Sequence, residues 1–496
     1  MKGMKLSWSL IRIKYSECLF CKFFKNDFCS KWYLPRGPVS NQCTKFKRNY
    51  LFRENSLKKR TFRLIFSLYF MMYFCIGIIP PNINNIIKTV SNISEFQISL
   101  AIAFNLFINS FSVMIFGYFG DRMSEKSSMK VMFILTNALW IFGYGCLSFS
   151  PNYVFFLSLL TISAIGTGAF IPLGFSMVGE LFHAKIRGKK FGIMQFGLIL
   201  GNGLGIMMGI TFSNIFNQNG WRMAYLFAVI LNLLILSAYS LIAIQPERGS
   251  MDSEFANFPR IINYNYRITK AHLFQLANTK SIIGILLSVL CGGIATSTLA
   301  NWGILFLTLK FGNSTLAAMT YLIVGTAALP GAVIGGKISD YFFNIKKRKK
   351  RFLISMMSIL IGSISLLGFY LIHISYWVLV LPLGFIGYFF TSFNSGTQYA
   401  IYSELCLPEV RSTANALNGL MLNIGGICGN LLVSVIVYQN IIFLSYSILL
   451  VLLVWLLGSL FWILPWIFYV KDFQRRNRIM IKKRFEIEQM LTAGLQ

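Results

Sequence analysis

Charge is scarce in this chain. Asp, Glu, Lys and Arg make up 12% of its 496 residues, about half of the roughly 25% usual in soluble domains. Acids are scarcer still, 16 Asp plus Glu against 46 Lys plus Arg, with three His. Apolar residues reach 55% and aromatics 16%. A soluble fold of this length could not hide that much apolar surface, so that class is excluded. Also missing is an early hydrophobic run: the first begins only near Leu64, so no cleavable signal peptide is expected. The formal charge of +30 would suit nucleic acid, but no nucleic-acid motif is present and the basic residues lie between apolar runs. Topology explains them better, and no nucleic-acid partner is expected.

What the chain has is long apolar runs. About 20 such residues cross a bilayer as a helix. Twelve spans are expected, near 64–86, 97–118, 129–149, 152–176, 190–214, 222–244, 281–307, 316–338, 353–373, 376–401, 413–437 and 441–469. The fold class is an all-α integral membrane protein of two six-helix bundles with a small Cys-rich N-terminal extension. The expected divisions are a basic Cys-bearing tail (1–60), a first bundle (61–244), a polar connecting loop (245–280), a second bundle (281–469) and a basic tail (470–496).

Orientation follows from Lys and Arg. One set of alternate loops holds Arg122, Lys126, Lys185, Arg187, Lys189, Lys190 and the run KKRKKR at 346–351. The opposite loops hold only Lys88, Arg222 and Lys310. This asymmetry places the rich side and both termini in the cytoplasm of a multi-pass cell-membrane protein. The KKRKKR run reads as a topology anchor, with lipid binding secondary.

The halves repeat each other. Gly117 lies four residues before Asp121, and Gly336 four before Asp340. Glu180 precedes Arg187 by seven in GELFHAKIRG, and Glu404 precedes Arg411 by seven in SELCLPEVRS. Two motifs in the same order at nearly one offset mark parallel six-helix repeats, an architecture that holds substrate between its halves.

These residues carry a resemblance. GYFGDRMSEK (117–126) is similar to the loop signature after span two of the major facilitator superfamily. GNGLGIMMG (201–209), GWR (220–222), PERG (246–249), NW (301–302), FN (393–394) and PEVRSTA (408–414) resemble its Spinster-like branch. The resemblance implies an alternating-access carrier of lysolipids, sphingoid lipids or other amphiphiles. No nucleophile, base or metal cluster falls at membrane depth, so no enzyme activity is expected; membrane lipids as neighbours and a monomer are expected as well. The chain departs from the branch in span one, where Met71, Met72, Cys75 and Ile76 stand about where an acid–base pair is usual. It departs again in span four, where Leu160 and Thr167 stand about where Arg and Glu are usual. The resemblance therefore does not carry proton coupling over.

A cytoplasmic gate is expected from Gly117, Asp121, Arg122, Glu180, Arg187, Asp340, Glu404 and Arg411. A carboxylate is stabilised at a helix N-terminus by free N–H groups and the macrodipole. Asp121 should meet the start of span eleven near Thr413, and Asp340 the start of span five. Arg122 should pair with Glu180, and Glu404 with a nearby base. The alternative is a topology signal without gating. The glycines Gly201, Gly203, Gly205 and Gly209, with Gly425, Gly426 and Gly429, have small-residue spacing that allows tight packing, and both sets read as rocking interfaces rather than binding sites. Pro80–Pro81 should end span one.

No Asp, Glu, Lys, Arg or His falls near the middle of any assigned span. Ion-coupled carriers usually keep such groups there, so uniport or exchange of an amphiphile is expected. Sugar phosphates and dicarboxylates would want buried cations. Neutral polar candidates for a substrate cavity are Thr167, Asn202, Asn301, Trp302, Asn394 and Gln398. The alternative for each is a helix–helix hydrogen bond. A proton-coupled multidrug exporter and a carrier-fold receptor are the other functional readings.

Cys18, Cys21, Cys29 and Cys43 form C-x2-C-x7-C-x13-C. Thiolates so grouped suit zinc or an iron–sulfur cluster, and the pattern resembles small four-Cys knuckles. The alternative is a basic tail with incidental or lipidated cysteines. No cofactor is expected for transport.

Overall fold

The structure, a computed structural model, describes residues 38–91, 93–122, 128–255, 266–439 and 443–492. Among these the elements are helices, apart from one isolated bridge between Ser91 and Asn152. Cys18, Cys21 and Cys29 lie outside the described residues. Cys43 falls within the first helix, but its side chain is outside the described set.

The first half holds α1 (Pro38–Ile78), α2 (Ile83–Thr89), α3 (Glu95–Arg122), α4 (Ser128–Leu147), α5 (Tyr153–Gly168), α6 (Ser176–Leu181), α7 (Arg187–Phe216) and α8 (Gly220–Ile242). The short α9 (Lys270–Ala277) lies in the connecting segment. The second half holds α10 (Lys280–Phe311), α11 (Ser314–Gly325), α12 (Ala328–Asn344), α13 (Lys349–Leu371), α14 (Trp377–Thr391), α15 (Asn394–Leu405), α16 (Arg411–Gln439), α17 (Leu444–Gly458) and α18 (Ile463–Thr492).

Eleven stretches among the described residues are long and apolar enough to cross a membrane. One of them, Ala184–Ile242, runs through both α7 and α8, which the 3-10 turn Asn217–Asn219 separates. Local chemistry sets many ends. α1 stops at Ile78 before the 3-10 turn Pro80–Asn82, because Pro lacks the N–H that would continue the helix. Gly312, at φ 67°, ends α10 in the left-handed region that glycine tolerates. Asn152 and Asn313 cap α5 and α11 by accepting from Phe155 N and Leu316 N.

Two boundaries differ from expectation. The helix of span one begins at Pro38, inside what reads as a tail. The last span passes through the 3-10 turn Ser459–Trp462 into α18, which runs on to Thr492. Charged residues hide both continuations from a hydropathy count, but they do not stop a helix.

The glycine reading is also corrected. Gly201 and Gly205 of α7 lie against the Phe70 and Phe74 carbonyls of α1, in the same half. Gly425 and Gly429 of α16 lie against Leu290 and Ile294 of α10, again in one half. These small residues let helices pack tightly within each bundle. The halves meet instead where α3 packs on α16, and where α7 packs on α12 and α15. Gly117 lies against Ala416 there, Gly188 against Gly336, and Gly396 against Gly192.

Candidate functional site

The two halves are tied together at one end of the bundle, where the connecting segment and the extension of α18 also lie. Asp121, buried one residue before the end of α3, accepts hydrogen bonds from Ser412 N at 2.9 Å and Thr413 N at 2.6 Å. Those N–H groups belong to the first turn of α16 and have no partner within the helix. Asp340, near the end of α12, accepts from Gly188 N at 2.8 Å and Lys189 N at 2.7 Å in the first turn of α7. The two contacts are equivalent under the repeat: each carboxylate crosses to the other half and meets the second and third residues of a helix. Their glycines serve the approach. A Cβ on Gly336 would overlap the Gly188 carbonyl, and one on Gly188 would stand 2.6 Å from Asp340 Oδ1.

Glu180 and Glu404 are both buried but are satisfied differently. Glu404 accepts from Arg351 at 3.0 and 2.8 Å and from Tyr469 Oη at 2.8 Å, all within its own half. Arg351 is the last residue of KKRKKR, so that run is not only a topology anchor. Glu180 takes Gly249 N at 2.7 Å and pairs across the halves with Arg411. The expected Arg122–Glu180 pair does not form. Arg122 is exposed, with no ion-pair partner among the described residues. The bidentate-capable guanidinium of Arg411 already occupies the carboxylate that Arg122 would need.

A further acid completes the cluster. Asp252, in the connecting segment, is buried and accepts from Arg411 at 2.8 and 2.7 Å and from Arg187 at 3.2 Å. Arg476 stands 3.1 Å away on its other side. Burial alone would push the Asp252 carboxyl up. Arg411, Arg476 and Arg187 outweigh that and hold it well below the usual carboxylate range. Arg187 also donates to Ser403 O of the other half at 3.2 Å. Arg248 donates to Asp121 O at 2.9 Å, so the connecting segment covers the α3 end as well.

Deeper along the bundle an aromatic layer spans the halves. Phe175 and Phe191 of the first half lie 4.4 and 5.7 Å from the Tyr399 ring of the second. Asn418 fixes that layer by donating to Tyr399 Oη at 2.9 Å and accepting from Tyr402 Oη at 3.1 Å. Deeper still, Asn423 Nδ2 of α16 donates to Asn109 Oδ1 of α3 at 3.0 Å. Asn109 Nδ2 donates in turn to Thr167 Oγ1 of α5 at 3.0 Å.

The cavity candidates divide. Thr167 is buried in that amide relay. Asn301 is exposed and donates to Asn430 Oδ1 at 3.0 Å. Trp302, Asn202 and Gln398 are half-buried. Asn394 is corrected: it is buried, donates to Ser355 O at 3.3 Å and accepts from Ser358 Oγ at 3.4 Å. Its amide is committed to joining α15 and α13, because a buried amide without partners is costly. Sequence reasoning missed Asp252, Arg351, Asn418 and the aromatic layer. Only PERG, ahead of Asp252, was a visible signal.

Residues 65–430 match the Major Facilitator Superfamily. The Drosophila melanogaster protein spinster is 25% identical over 330 residues, 64% of this chain and 51% of that protein. The sphingosine-1-phosphate transporter SPNS2 of Xenopus tropicalis is 29% identical over 141 residues, 26% of each chain. The match thus spans about half of the fly relative, and less of the frog one. A bacterial homologue of the human lysosomal transporter Spinster, solved in an inward-facing, unoccupied conformation, aligns with a TM-score of 0.56 and 15% identity over 84% of this chain and 98% of that one. The match of most of its length to one superfamily, together with these Spinster relatives, shows that the chain belongs to the Major Facilitator Superfamily and is Spinster-like.

Proposed function

We propose that the protein is an alternating-access secondary transporter of a small amphiphilic or lipid-like solute, by uniport or exchange. The observation that carries this is the pair of equivalent contacts, Asp121 on α16 and Asp340 on α7, each crossing between the halves at one end. Such contacts exist only while that end is closed, so they bias the carrier toward the state open at the other end. Asp121, Asp340, Glu180, Arg187, Arg411 and Gly117 form this gate. Glu404 with Arg351 braces the second half beside it. The tied end is the cytoplasmic one, with both termini on that side of a cell-membrane protein. Twelve spans follow when α7 and α8 are counted separately. They form six-helix bundles over 61–244 and 281–469, joined by 245–280 and working as a monomer.

Asn202, Asn301, Trp302 and Gln398 offer the solute neutral polar groups and an aromatic face, without a fixed charge at mid-span, whereas Thr167 is taken up by the amide relay. That suits an amphiphile whose charged head stays near the interface. The Spinster relatives, one of them named for sphingosine-1-phosphate, support the same class. Purified protein in liposomes tests the reading through flux of a labelled lysolipid, with and without a pH gradient. Flux independent of the gradient is expected. Gradient-driven flux would favour a proton-coupled exporter, and binding without flux a receptor.

A further inference from the structure

The segment after residue 469 reads as a solvated basic tail, yet α18 carries a buried stripe through it. Arg476, Met480, Lys483 and Ile487 recur at three- and four-residue spacing and are all buried. Met480 and Ile487 pack with Phe255, Leu407 and Val410 in an apolar cluster separate from the main core. Lys483 pairs with Glu409, and Arg484 donates to the Glu254 carbonyl at 3.1 Å. Lys471, Arg475, Arg478 and Lys482 stay exposed on the other faces. The extension is therefore docked on two things: the connecting segment, and the turn that precedes α16.

At the centre of that dock, Arg476 bridges two acids of the connecting segment. Its Nη2 lies 3.1 Å from Asp252 Oδ2 and its Nη1 2.8 Å from Glu254 Oε1. The three side chains are 3–7% exposed, so water does little to screen them. Asp252 is held unevenly between the halves. Arg411 and Arg476, both of the second half, make three contacts to it at 2.7–3.1 Å. Arg187 of the first half makes one at 3.2 Å.

We propose that Arg476 is a positioning residue of the gate. It fixes Asp252 on the second half, so that the closed end is made when Arg187 docks onto an already assembled acidic cup. Opening then parts Arg187 from Asp252, Glu180 from Arg411 and Gly249 N, and Arg248 from the end of α3, while Asp252, Arg411 and Arg476 stay together. The C-terminal extension thereby sets how tightly the gate shuts, although it belongs to neither transmembrane bundle.

This inference rests on the gate reading and is tested beside it. Cys406 is 3% exposed and its thiol is pushed up to about 12 by burial, with Arg411, Asp121 and Arg476 among the charges that act on it. In the full chain, with the other eight cysteines replaced, its labelling by a hydrophilic maleimide reports opening of this end. Arg476→Ala should raise the labelling rate about tenfold or more, since it strips one partner from buried acids. Arg476→Lys should restore part of the protection, and Glu254→Gln should give a smaller rise. Lys482→Ala, on the exposed face of the same helix, should change nothing. Arg476→Ala should add little once Asp252→Asn is already present, because Arg476 acts through Asp252. If Asp121→Asn speeds labelling while Arg476→Ala and Glu254→Gln do not, the role of Arg476 is refuted and the gate stands. If none of them does, the gate reading fails first. A rise that tracks a general fall in melting temperature, and that Lys482→Ala shares, would also overturn the inference.

Discussion

Replacing Asp121 with Asn isolates the gate chemistry with almost no change in volume. The carboxylate uses one oxygen for Ser412 N and the other for Thr413 N. An asparagine offers one acceptor and turns an NH2 toward the second N–H. One charge-assisted bond is lost, a buried N–H is left unpaired, and the favourable placement of negative charge at the α16 N-terminus disappears. A hydrogen bond to a charged group contributes about 1.5–3 kcal/mol, and the dipole term adds about 0.3–1 kcal/mol. A loss near 2–3 kcal/mol falls on the closed state alone and shifts the closed-to-open ratio by about 30- to 150-fold. Cys406 labelling should accelerate by that order where opening is a fast pre-equilibrium. Net flux should fall, because the state open at the far end becomes rare. Normal insertion together with wild-type labelling and wild-type flux would refute the reasoning and leave Asp121 a topology signal.

Other outcomes follow from the same geometry. Gly336→Ala should hold the end open without removing any charge, since its Cβ overlaps the Gly188 carbonyl; faster Cys406 labelling checks this. The folded-state pKa of Asp252 is depressed, so its pairing stabilises the protein above the ordinary carboxylate value and is lost as pH falls through the depressed one. Thermal unfolding in detergent should therefore depend little on pH near neutrality, where the Asp252 pairing is fully present, and lose stability below about pH 4; Asp252→Asn should be less stable at pH 7 and show a shallower acid limb. Full-length protein expressed with zinc or iron should carry about one metal site per chain, lost in Cys18→Ser; a metal-free product would end the knuckle reading.

The repeat made Asp121 and Asp340 legible, because each sits at the same offset from a glycine and a helix N-terminus can be placed opposite it. Partner identity was less legible. Glu180 finds Arg411 across 231 residues of chain, a pairing that no local spacing encodes. Arg351 was hidden in a run of six bases, where sequence does not say which one turns inward. Asp252 reads as an ordinary loop acid until three guanidiniums are seen around it. The buried stripe of α18 was present as the seven-residue spacing of Met480 and Ile487, but the intervening Lys and Arg made it read as solvated. Asn394 shows the opposite error: a polar residue within a span was read as facing substrate when its bonds join two helices.

An alternating-access carrier of this kind must open its tied end during transport. Lys185 and Asn344 are exposed on opposite halves of that end and already touch, Asn344 Nδ2 donating to Lys185 O at 3.2 Å. Cysteines at these two positions, in a chain without its native ones, can be joined by mild oxidation in proteoliposomes. Lysolipid flux should stop on oxidation and return on reduction. Undiminished flux through the cross-linked protein would show that this end need not open.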